Sequence, residues 1–273
     1  MMLIRLIAFV LIGLLPTTLM AGGGWDRCIT FYWNNDYQKA TGPCGYEARR
    51  GGAFSQNTSY VVLSQMGVPQ HLREAERLLR MGAEQGDARS QYNLAMMYRY
   101  GDGVQQDYSQ ALEWFRKAAE QGDASAQTGL GKMYVAGRGT PQDAGEAAFW
   151  FLKAAQQGQA VAQYNLGVMH LIGMGFPPDD EQAVVWFRKA AQQGIVMAQH
   201  NLATMYIEGR GVRQDQVEAY AWFILAAVQG DVVAQDSIVR LGSVMSPAEI
   251  EAGQALAREY YRKYARLEHW EGD

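Results

Sequence analysis

Apolar residues recur three and four positions apart along most of the chain, and two kinds of predicted helix alternate. The first kind carries small and aliphatic residues on one face, as in Ala126, Leu130 and Met133. The second kind carries a bulky aromatic pair, such as Trp114 and Phe115, between small residues. A spacing of three and four places side chains on one side of a helix. The pattern therefore predicts an all-α chain built from helix pairs.

These helix pairs belong to a 36-residue unit that occurs four times between residues 87 and 230 without insertion or deletion. Glutamine, leucine and tryptophan columns hold their places in every copy: Gln91, Gln127, Gln163 and Gln199; Leu94, Leu130, Leu166 and Leu202; Trp114, Trp150, Trp186 and Trp222. A fixed period of this length predicts an array of units that mainly contact their neighbours. A partial copy covers residues 56–86, and residues 231–273 supply a fifth first helix and a closing helix.

Each unit also carries signals for turns and helix starts. A Gly-x-Gly pair follows the first helix, where a left-handed residue ends a helix at little cost. Aspartates followed three residues later by Gln or Glu indicate reciprocal capping boxes at the second helix: Asp107, Asp143, Asp179 and Asp215. Their spacing of one per unit favours capping over acid–base or metal chemistry. First helices open with Asp87, Asp123 and Asp231, whereas Gln159 and Ile195 are expected to leave two helices without the usual cap.

The stretch Ala162-Gln163-Tyr164-Asn165-Leu166-Gly167, the Gly-x-Gly turn and the stretch Trp186-Phe187-Arg188-Lys189-Ala190-Ala191 resemble the Sel-one-like repeat. This repeat is a relative of the tetratricopeptide repeat, and the resemblance covers roughly residues 60–241. It implies a right-handed α-solenoid of antiparallel helix pairs. It also implies an adaptor or binding scaffold with no catalytic residues, no cofactor and no metal.

Residues 1–21 differ from the repeat array. Arg5 precedes the apolar run Leu6 to Leu15, and small residues follow up to Ala21. These are the parts of a secretory signal peptide, and the run is shorter than the roughly 20 residues that span a bilayer. We expect cleavage and a periplasmic or secreted protein, with no stable membrane insertion afterwards. An uncleaved membrane anchor is the alternative.

Residues 22–55 contain both cysteines, Cys28 and Cys44, among many aromatic residues. In an exported chain this pair is expected to form a disulfide that staples an N-terminal cap on the array. Free thiols or a metal site are the alternatives for the cysteines. The aromatic rings could instead form a binding anchor, because tyrosine and tryptophan are common at interface hot spots.

Charge and histidine placement narrow the classes of function. The formal charge is -4, and lysine and arginine are scattered among acidic residues, so nucleic acid is not an expected partner. The four histidines fall in different columns: His71, His170, His200 and His269. No nucleophile motif is visible. We therefore predict neither a catalytic nor a metal-binding cluster.

Partner specificity must lie in columns that vary between units. The varying face of the first helices combines apolar positions in the third and fourth units with basic and polar positions nearer the N-terminus: Tyr92, Met96, Arg99, Lys132, Val161, Tyr164, Val168, Leu171, Met197, His200 and Ile207. Thr128 and Thr204 belong to the same columns. Solenoids bind partners along such a face. Alternatively, these side chains pack beneath neighbouring helices.

The leading hypothesis is a non-enzymatic, exported protein-binding scaffold. The resemblance extends to immunity proteins that block a secreted toxic effector in the periplasm, such as a type VI phospholipase. A cell-envelope adaptor, a secreted host-directed factor and a hydrolase like the beta-lactamase-like cysteine-rich relatives are the alternatives. Those relatives carry a cysteine pair in each repeat, and here no repeat contains one.

Overall fold

The computed structural model describes residues 69–264, which form eleven α-helices joined by turns. The chain divides into two compact units after Gln121. The first unit contains α1 (Pro69–Glu84), α2 (Ala88–Tyr100) and α3 (Tyr108–Glu120). The second contains α4 (Ala124–Ala136), α5 (Ala144–Gln156), α6 (Ala160–Ile172), α7 (Asp180–Ala191), α8 (Val196–Glu208), α9 (Gln216–Val228), α10 (Val232–Gly242) and α11 (Pro247–Tyr264). The expected signal peptide, the Cys28–Cys44 cap, residues 56–68 of the partial copy and residues 265–273 lie outside the described residues.

Each helix packs mainly against its neighbour along the chain. In the first unit, α2 contacts both α1 and α3. In the second unit, the contacts run in sequence from α4 to α10, and α11 packs against α9. The predicted all-α solenoid of helix pairs is confirmed. Because each pair buries its apolar face against the next pair, packing rather than intrinsic helix propensity holds the array together.

The predicted repeat columns fill the core of the second unit. Leu130, Leu166 and Leu202 are fully buried, and so are the second-helix residues Phe151 and Phe187. Fully burying one such side chain contributes about 2 kcal/mol. The columns that repeat most faithfully in the sequence are therefore those with the largest packing role.

Glycine in two of the first helices permits close contact with the second helix of the same pair. A Cβ atom added at Gly131 would lie 2.8 Å from the ring of Phe151. At Gly167 the same atom would lie 2.5 Å from the ring of Phe187. Real Cβ contacts are longer, so these glycines sit where no side chain fits.

The two glycines of the Gly-x-Gly turn have different roles. The first is the left-handed C-cap of the first helix in every described unit, as predicted: Gly101, Gly137, Gly173 and Gly209. The second glycine also has positive φ, and in the third and fourth units it touches the preceding helix pair. A Cβ atom on Gly175 would lie 2.6 Å from the carbonyl oxygen of Ala144, and one on Gly211 would overlap the carbonyl group of Asp180. The second glycine therefore sets the approach of one pair to the next.

The second-helix aspartates cap as predicted, but the reciprocal half of the capping box is wrong. The Asp143 carboxylate accepts from the Glu146 backbone N–H at 3.0 Å. The N–H of Asp143 instead donates to the carbonyl of Tyr134 at 3.1 Å, and the Glu146 carboxylate accepts from the Trp150 indole N–H at 3.1 Å. The other three capping aspartates donate backward in the same way. The returning turn has already satisfied the donor that a reciprocal box would use.

Two first helices begin without an aspartate, and their N-termini are stabilised in different ways. The prediction that Gln159 leaves its helix uncapped is wrong, because its Oε1 accepts from the N–H groups of Val161 and Ala162 at 2.7 and 3.2 Å. Ile195 makes no capping hydrogen bond, as expected. Its side chain instead packs against the hydrophobic core of the second unit.

Buried glutamines join successive helix pairs through what we call the amide relay. In the second unit, Gln199 Nε2 donates to the carbonyl of Ala191 at 3.1 Å. Its Oε1 then accepts from Gln229 Nε2 at 2.9 Å. The same two-step arrangement links Gln163 to Ala155 and Gln193. These bonds satisfy the glutamine column, which is buried and would otherwise destabilise the core.

The closing helix α11 packs on α9, the second helix of the fourth unit. Ser246 and Glu249 form a full capping box at its start, with the Ser246 N–H donating to the Glu249 carboxylate at 2.8 Å and the Glu249 N–H donating back at 3.3 Å. Ala257 is buried against the rest of the second unit, whereas Leu256 is only half-buried. The Tyr260 ring packs on Trp222 of α9 with ring centroids 4.7 Å apart and a tilt of 33°. The helix therefore covers the tryptophan of the fourth unit.

Candidate protein-binding surface

The predicted residues on α6 are half-buried rather than freely exposed. Val161, Tyr164, Val168 and Leu171 all have intermediate exposure. The last three pack against the hydrophobic core that follows them in the chain. The Tyr164 ring lies 5.9 Å from the ring of Phe187. These side chains therefore present one edge to solvent and contribute the other to packing.

On α8, Met197 and His200 differ in how freely they could contact a partner. Met197 is 54% exposed. His200 is held in place by two neighbours. Its Nδ1 lies 2.8 Å from the Asp231 carboxylate, and its ring packs edge-on against Phe223 with ring centroids 5.4 Å apart. Ile207, at the end of the helix, is half-buried.

Asp231 has two simultaneous roles. Its carboxylate accepts from the N–H groups of Val233 and Ala234 and so caps α10, while it also faces His200. Burial opposes its ionisation, but the Ala234 N–H and then His200 outweigh that effect, and the pKa of Asp231 lies below its ordinary value. The residue thus connects α8 to the start of α10.

A cleft of about 370 Å³ opens where α8, α9 and α10 meet. Phe223 and Leu241 are buried residues of its lining, and Ile207 flanks it. Val244 is 71% exposed beside it. Hydroxyl, amide and guanidinium groups from Thr204, Ser237, Gln216 and Arg240 complete the lining. The cleft can accept a large apolar side chain with a polar neighbour.

Sequence reasoning missed the α10 side of this cleft. Ser237 and Arg240 belong to the fifth first helix, which the repeat pattern covers only in part. Arg240 donates to the Ser237 hydroxyl at 3.1 Å. No repeat column could have located these two positions, because the four full units end at Gly230.

The remaining predicted residues lie away from the cleft. Lys132 of α4 is half-buried, and Thr128 beside it is buried with its hydroxyl donating to the carbonyl of Ala124 at 2.8 Å. In the first unit, Tyr92 packs on Phe115 with ring centroids 5.8 Å apart. Met96 and Arg99 of the same helix are half-buried. The structure brings Thr204 and Ile207 to the cleft, but not the predicted residues on α2, α4 and α6.

Residues 69–264 contain neither a candidate metal centre nor a candidate membrane span. Within that range, His, Cys, Asp and Glu side chains form no group of three that could hold a metal ion. No helix in this part of the chain combines the length and apolar character needed to cross a bilayer.

Comparison with known families and structures identifies the repeat. The Sel1 repeat model matches residues 62–87, 88–123, 124–159, 160–195, 196–231 and 238–269. The curated proteins contain no match. A protective antigen of uropathogenic Escherichia coli with an SLR fold is 31% identical, with a TM-score of 0.78 over 90% of this chain and 56% of that protein. The chain thus spans little more than half of that relative's length.

Two further solved structures match parts of this chain. A Sel1 repeat protein from Oxalobacter formigenes is 29% identical, with a TM-score of 0.70 over 86% of this chain and 98% of that one. An immunity protein from Pseudomonas aeruginosa is 22% identical, with a TM-score of 0.41 over 70% of this chain and 73% of that one. Because the family model covers most of the described helices, the chain belongs to the Sel1 repeat family.

Proposed function

We propose that this protein binds a partner protein through the cleft between α8, α9 and α10 and the adjoining exposed face of α8. Sel1 repeats form scaffolds suited to protein binding, and this cleft is the feature that makes the proposal specific. An apolar side chain of the partner would contact Phe223, while Arg240 stands beside it with donors for an acidic or carbonyl group.

The exposure of the cleft rim supports this proposal. Val244 and Met197 are both more than half exposed, although they are apolar. Single exposed apolar residues are common, but Val244 lies in the lining of a cleft that also contains buried aromatic and aliphatic side chains, and Met197 lies nearer the start of α8. A partner that covers this region would remove apolar surface from water and gain packing with Phe223 and Leu241.

Site-specific photo-crosslinking tests the proposal. A photoreactive residue placed at Val244 should capture one partner from an extract of the source cells, and Val244→Asp should abolish co-purification of that partner. Val185 on α7 is an exposed valine outside the cleft and serves as the matched control for both changes. Equal capture from both positions, or an undiminished complex with Val244→Asp, would rule out the cleft as the contact.

A narrower proposal is that the partner is a toxic effector, such as a type VI phospholipase, which the protein neutralises in the periplasm. Export by the signal peptide predicted at residues 1–21 and the apolar cleft support it. Periplasmic expression of such an effector should stop growth, and co-expression of this protein, but not of Val244→Asp, should restore it. Recovery of a cell-envelope assembly protein at Val244, without protection from any effector, would favour the adaptor role.

The proposed activity is binding without catalysis. A hydrolase like the beta-lactamase-like cysteine-rich relatives remains the enzymatic alternative. Purified protein incubated with a chromogenic beta-lactam should give no turnover above the uncatalysed rate. Turnover that follows the protein through purification would replace the scaffold proposal.

A further inference from the structure

A separate cavity of about 650 Å³ lies where the C-terminal ends of α7, α9 and α11 meet. Its lining contains the amides of Gln192, Gln193 and Gln229 and the rings of Tyr260 and Tyr264. It shares none of its lining residues with the cleft between α8, α9 and α10. Nothing in the proposed protein-binding function uses it.

The amide relay fixes which atoms of Gln229 remain available. Gln199 Nε2 must donate to the Ala191 carbonyl, because a carbonyl can only accept, so Gln199 Oε1 faces Gln229. Gln229 must therefore present Nε2 to Gln199, and this nitrogen also donates to the Leu225 carbonyl at 3.2 Å. Both N–H groups are engaged, and Gln229 Oε1 is left as an acceptor.

Gln193 is held in the same orientation. Its Nε2 donates to Gln163 Oε1 at 2.7 Å and to the Lys189 carbonyl at 3.5 Å. Gln192 donates to the Tyr264 hydroxyl at 3.2 Å. The glutamines thus offer mainly oxygen atoms to the cavity, which favours a ligand that donates hydrogen bonds.

Three tyrosines supply aromatic surface to the same cavity: Tyr260, Tyr261 and Tyr264. The chain itself places a cation on one of these rings, since Lys263 Nζ lies 5.2 Å from the Tyr264 ring centroid. Ring faces carry partial negative charge and attract ammonium and guanidinium groups.

Helix dipoles act in the same direction. The lining includes the last-turn residues Ala191 of α7, Val228 of α9 and Tyr264 of α11. Each helix C-terminus carries about half a negative charge. The segment at the start of α8 contributes Gly194 and Gln199 to the same lining, whereas α7 and α9 contribute residues from their C-terminal turns. The described lining contains no carboxylate that would bind a metal ion instead.

We propose that this cavity binds an organic cation, an alkylammonium or guanidinium group. Aligned amide oxygens would accept its N–H groups, and the tyrosine rings would cover its apolar part. The same chemistry could come from a free amine or from a lysine or arginine side chain of another protein. Lys263 is the cation that a ligand must compete with.

NMR titration of the full chain tests this inference. The probes are propylammonium, methylguanidinium and capped arginine, with capped glutamine and capped glutamate as neutral and anionic controls at matched ionic strength. The three cations should shift the backbone amides of Gln192, Gln229 and Tyr264 in a saturable way. Tighter binding of capped arginine than of methylguanidinium identifies a protein side chain as the source, and equal binding identifies a free amine.

Three variants sharpen the test. Lys263→Ala removes the competing cation and should tighten binding about threefold. Tyr264→Leu removes a ring and should weaken it about fivefold. Gln229→Glu adds a carboxylate, in exchange for the N–H that Gln199 accepts, and should tighten binding about fivefold. Gln157→Glu is the matched control, because Gln157 occupies the same place in an earlier pair, donating to Gln127 at 2.8 Å outside the cavity.

The inference is wrong if neutral and cationic probes shift the same amides equally. It is also wrong if neither the natural chain nor Lys263→Ala gives a saturable shift, or if Gln157→Glu tightens binding as much as Gln229→Glu. None of these results depends on the photo-crosslinking outcome at Val244, so the two proposals fail separately.

Discussion

Position 195 illustrates how one side chain can replace a helix cap. An aspartate at this place contributes about 1 kcal/mol by accepting from the first free N–H groups. Ile195 gives up that bond but packs against the core of the second unit. Burying an aliphatic side chain contributes a similar amount, so the two effects offset each other. Gln159 keeps the bond with a longer side chain. The column therefore varies without loss of the helix start.

Gly211 is expected to be among the least replaceable residues of the second unit. It has φ +63, and a Cβ atom there would overlap the backbone carbonyl of Asp180. Gly211→Ala should lower the free energy of unfolding by about 3 kcal/mol, from left-handed strain and displacement of the neighbouring pair. Gly194 is the matched control, with φ +85 and no atom within 4 Å of the added Cβ.

Gly194→Ala should cost only the backbone strain, about 1 kcal/mol. Urea unfolding followed by circular dichroism measures both variants. Equal midpoints for Gly211→Ala and Gly194→Ala would show that the contact with Asp180 adds nothing.

Asp231 should give the protein a defined dependence on acid. Its pKa lies below the ordinary value of 3.8, so its ionised form is stabilised by folding. That contribution is fully present above about pH 4 and is lost as the pH falls through the lower folded pKa. Asp231→Ala, which also loses the cap of α10, should cost about 1–2 kcal/mol at neutral pH. Asp231→Asn keeps a capping oxygen and should cost less.

The stability difference between the natural chain and Asp231→Asn should therefore shrink in acid. Thermal unfolding between neutral pH and about pH 3 measures it. Asp236→Asn is the control, because Asp236 is exposed on the same helix. A difference that stays constant down to the acid limit would exclude the carboxylate charge as its cause.

At the scale of the helix, α11 shows why the fourth unit departs from the others. In earlier units a lysine lies over the repeat tryptophan, as Lys189 does over Trp186 at 4.1 Å. The corresponding residue of α9 is Leu225, which is buried. Trp222 is covered by Tyr260 and Tyr264, so a lysine there would lose its access to water.

Tyr260 carries much of this helix contact. Its hydroxyl donates to both oxygens of Glu218, at 2.9 and 3.1 Å, and burial followed by the Glu218 charge raises the pKa of Tyr260. The indole N–H of Trp222 has no partner, whereas the Trp150 N–H donates to Glu146 at 3.1 Å. Glu218 thus binds the Tyr260 hydroxyl at the position where Glu146 of an earlier unit binds an indole N–H.

Tyr260→Phe should consequently cost less than about 1 kcal/mol, because Glu218 becomes available to the Trp222 N–H. Tyr260→Ala removes the packed ring and should cost about 3 kcal/mol. Thermal unfolding measures the losses, and a downfield shift of the Trp222 indole proton in Tyr260→Phe reports the new hydrogen bond. Arg262→Ala, at an exposed position of the same helix, is the control. An equal loss of stability in Tyr260→Phe and Tyr260→Ala would show that no new hydrogen bond from Trp222 to Glu218 compensates for the missing hydroxyl.

At the scale of the whole molecule, the features that the sequence predicted correctly are those that recur with the 36-residue repeat. The helix pairs, the buried leucine column, the aspartate caps and the left-handed glycines follow from one short-range pattern, and all are observed. The reciprocal capping boxes were wrong because the competing bond, such as Asp143 N–H to the Tyr134 carbonyl, depends on the path of the turn. A motif records side-chain types but not whether its donor is already satisfied.

The candidate surface was less predictable for the same reason. Columns on α6 and α8 were visible as variation between units, but the partner of His200 is Asp231, which lies 31 residues later in the next pair. The cleft also needs Ser237 and Arg240 from a helix that has left the repeat pattern. Sites that form between pairs depend on contacts that no single repeat encodes.

In the second unit, helices contact mainly their neighbours along the chain, and this predicts how far a mutation should lower local stability. In an array whose pairs contact only their neighbours, stability is a sum of local terms and interface terms. Tyr260→Ala breaks the contact between α11 and α9, so amide hydrogen exchange should accelerate most in α9, less in α8 and not measurably in α5. Gly211→Ala, which disturbs the approach to α7, should instead centre the loss on α7 and α8. Uniform acceleration from α4 to α11 in both variants would show one cooperative body and not a chain of coupled pairs.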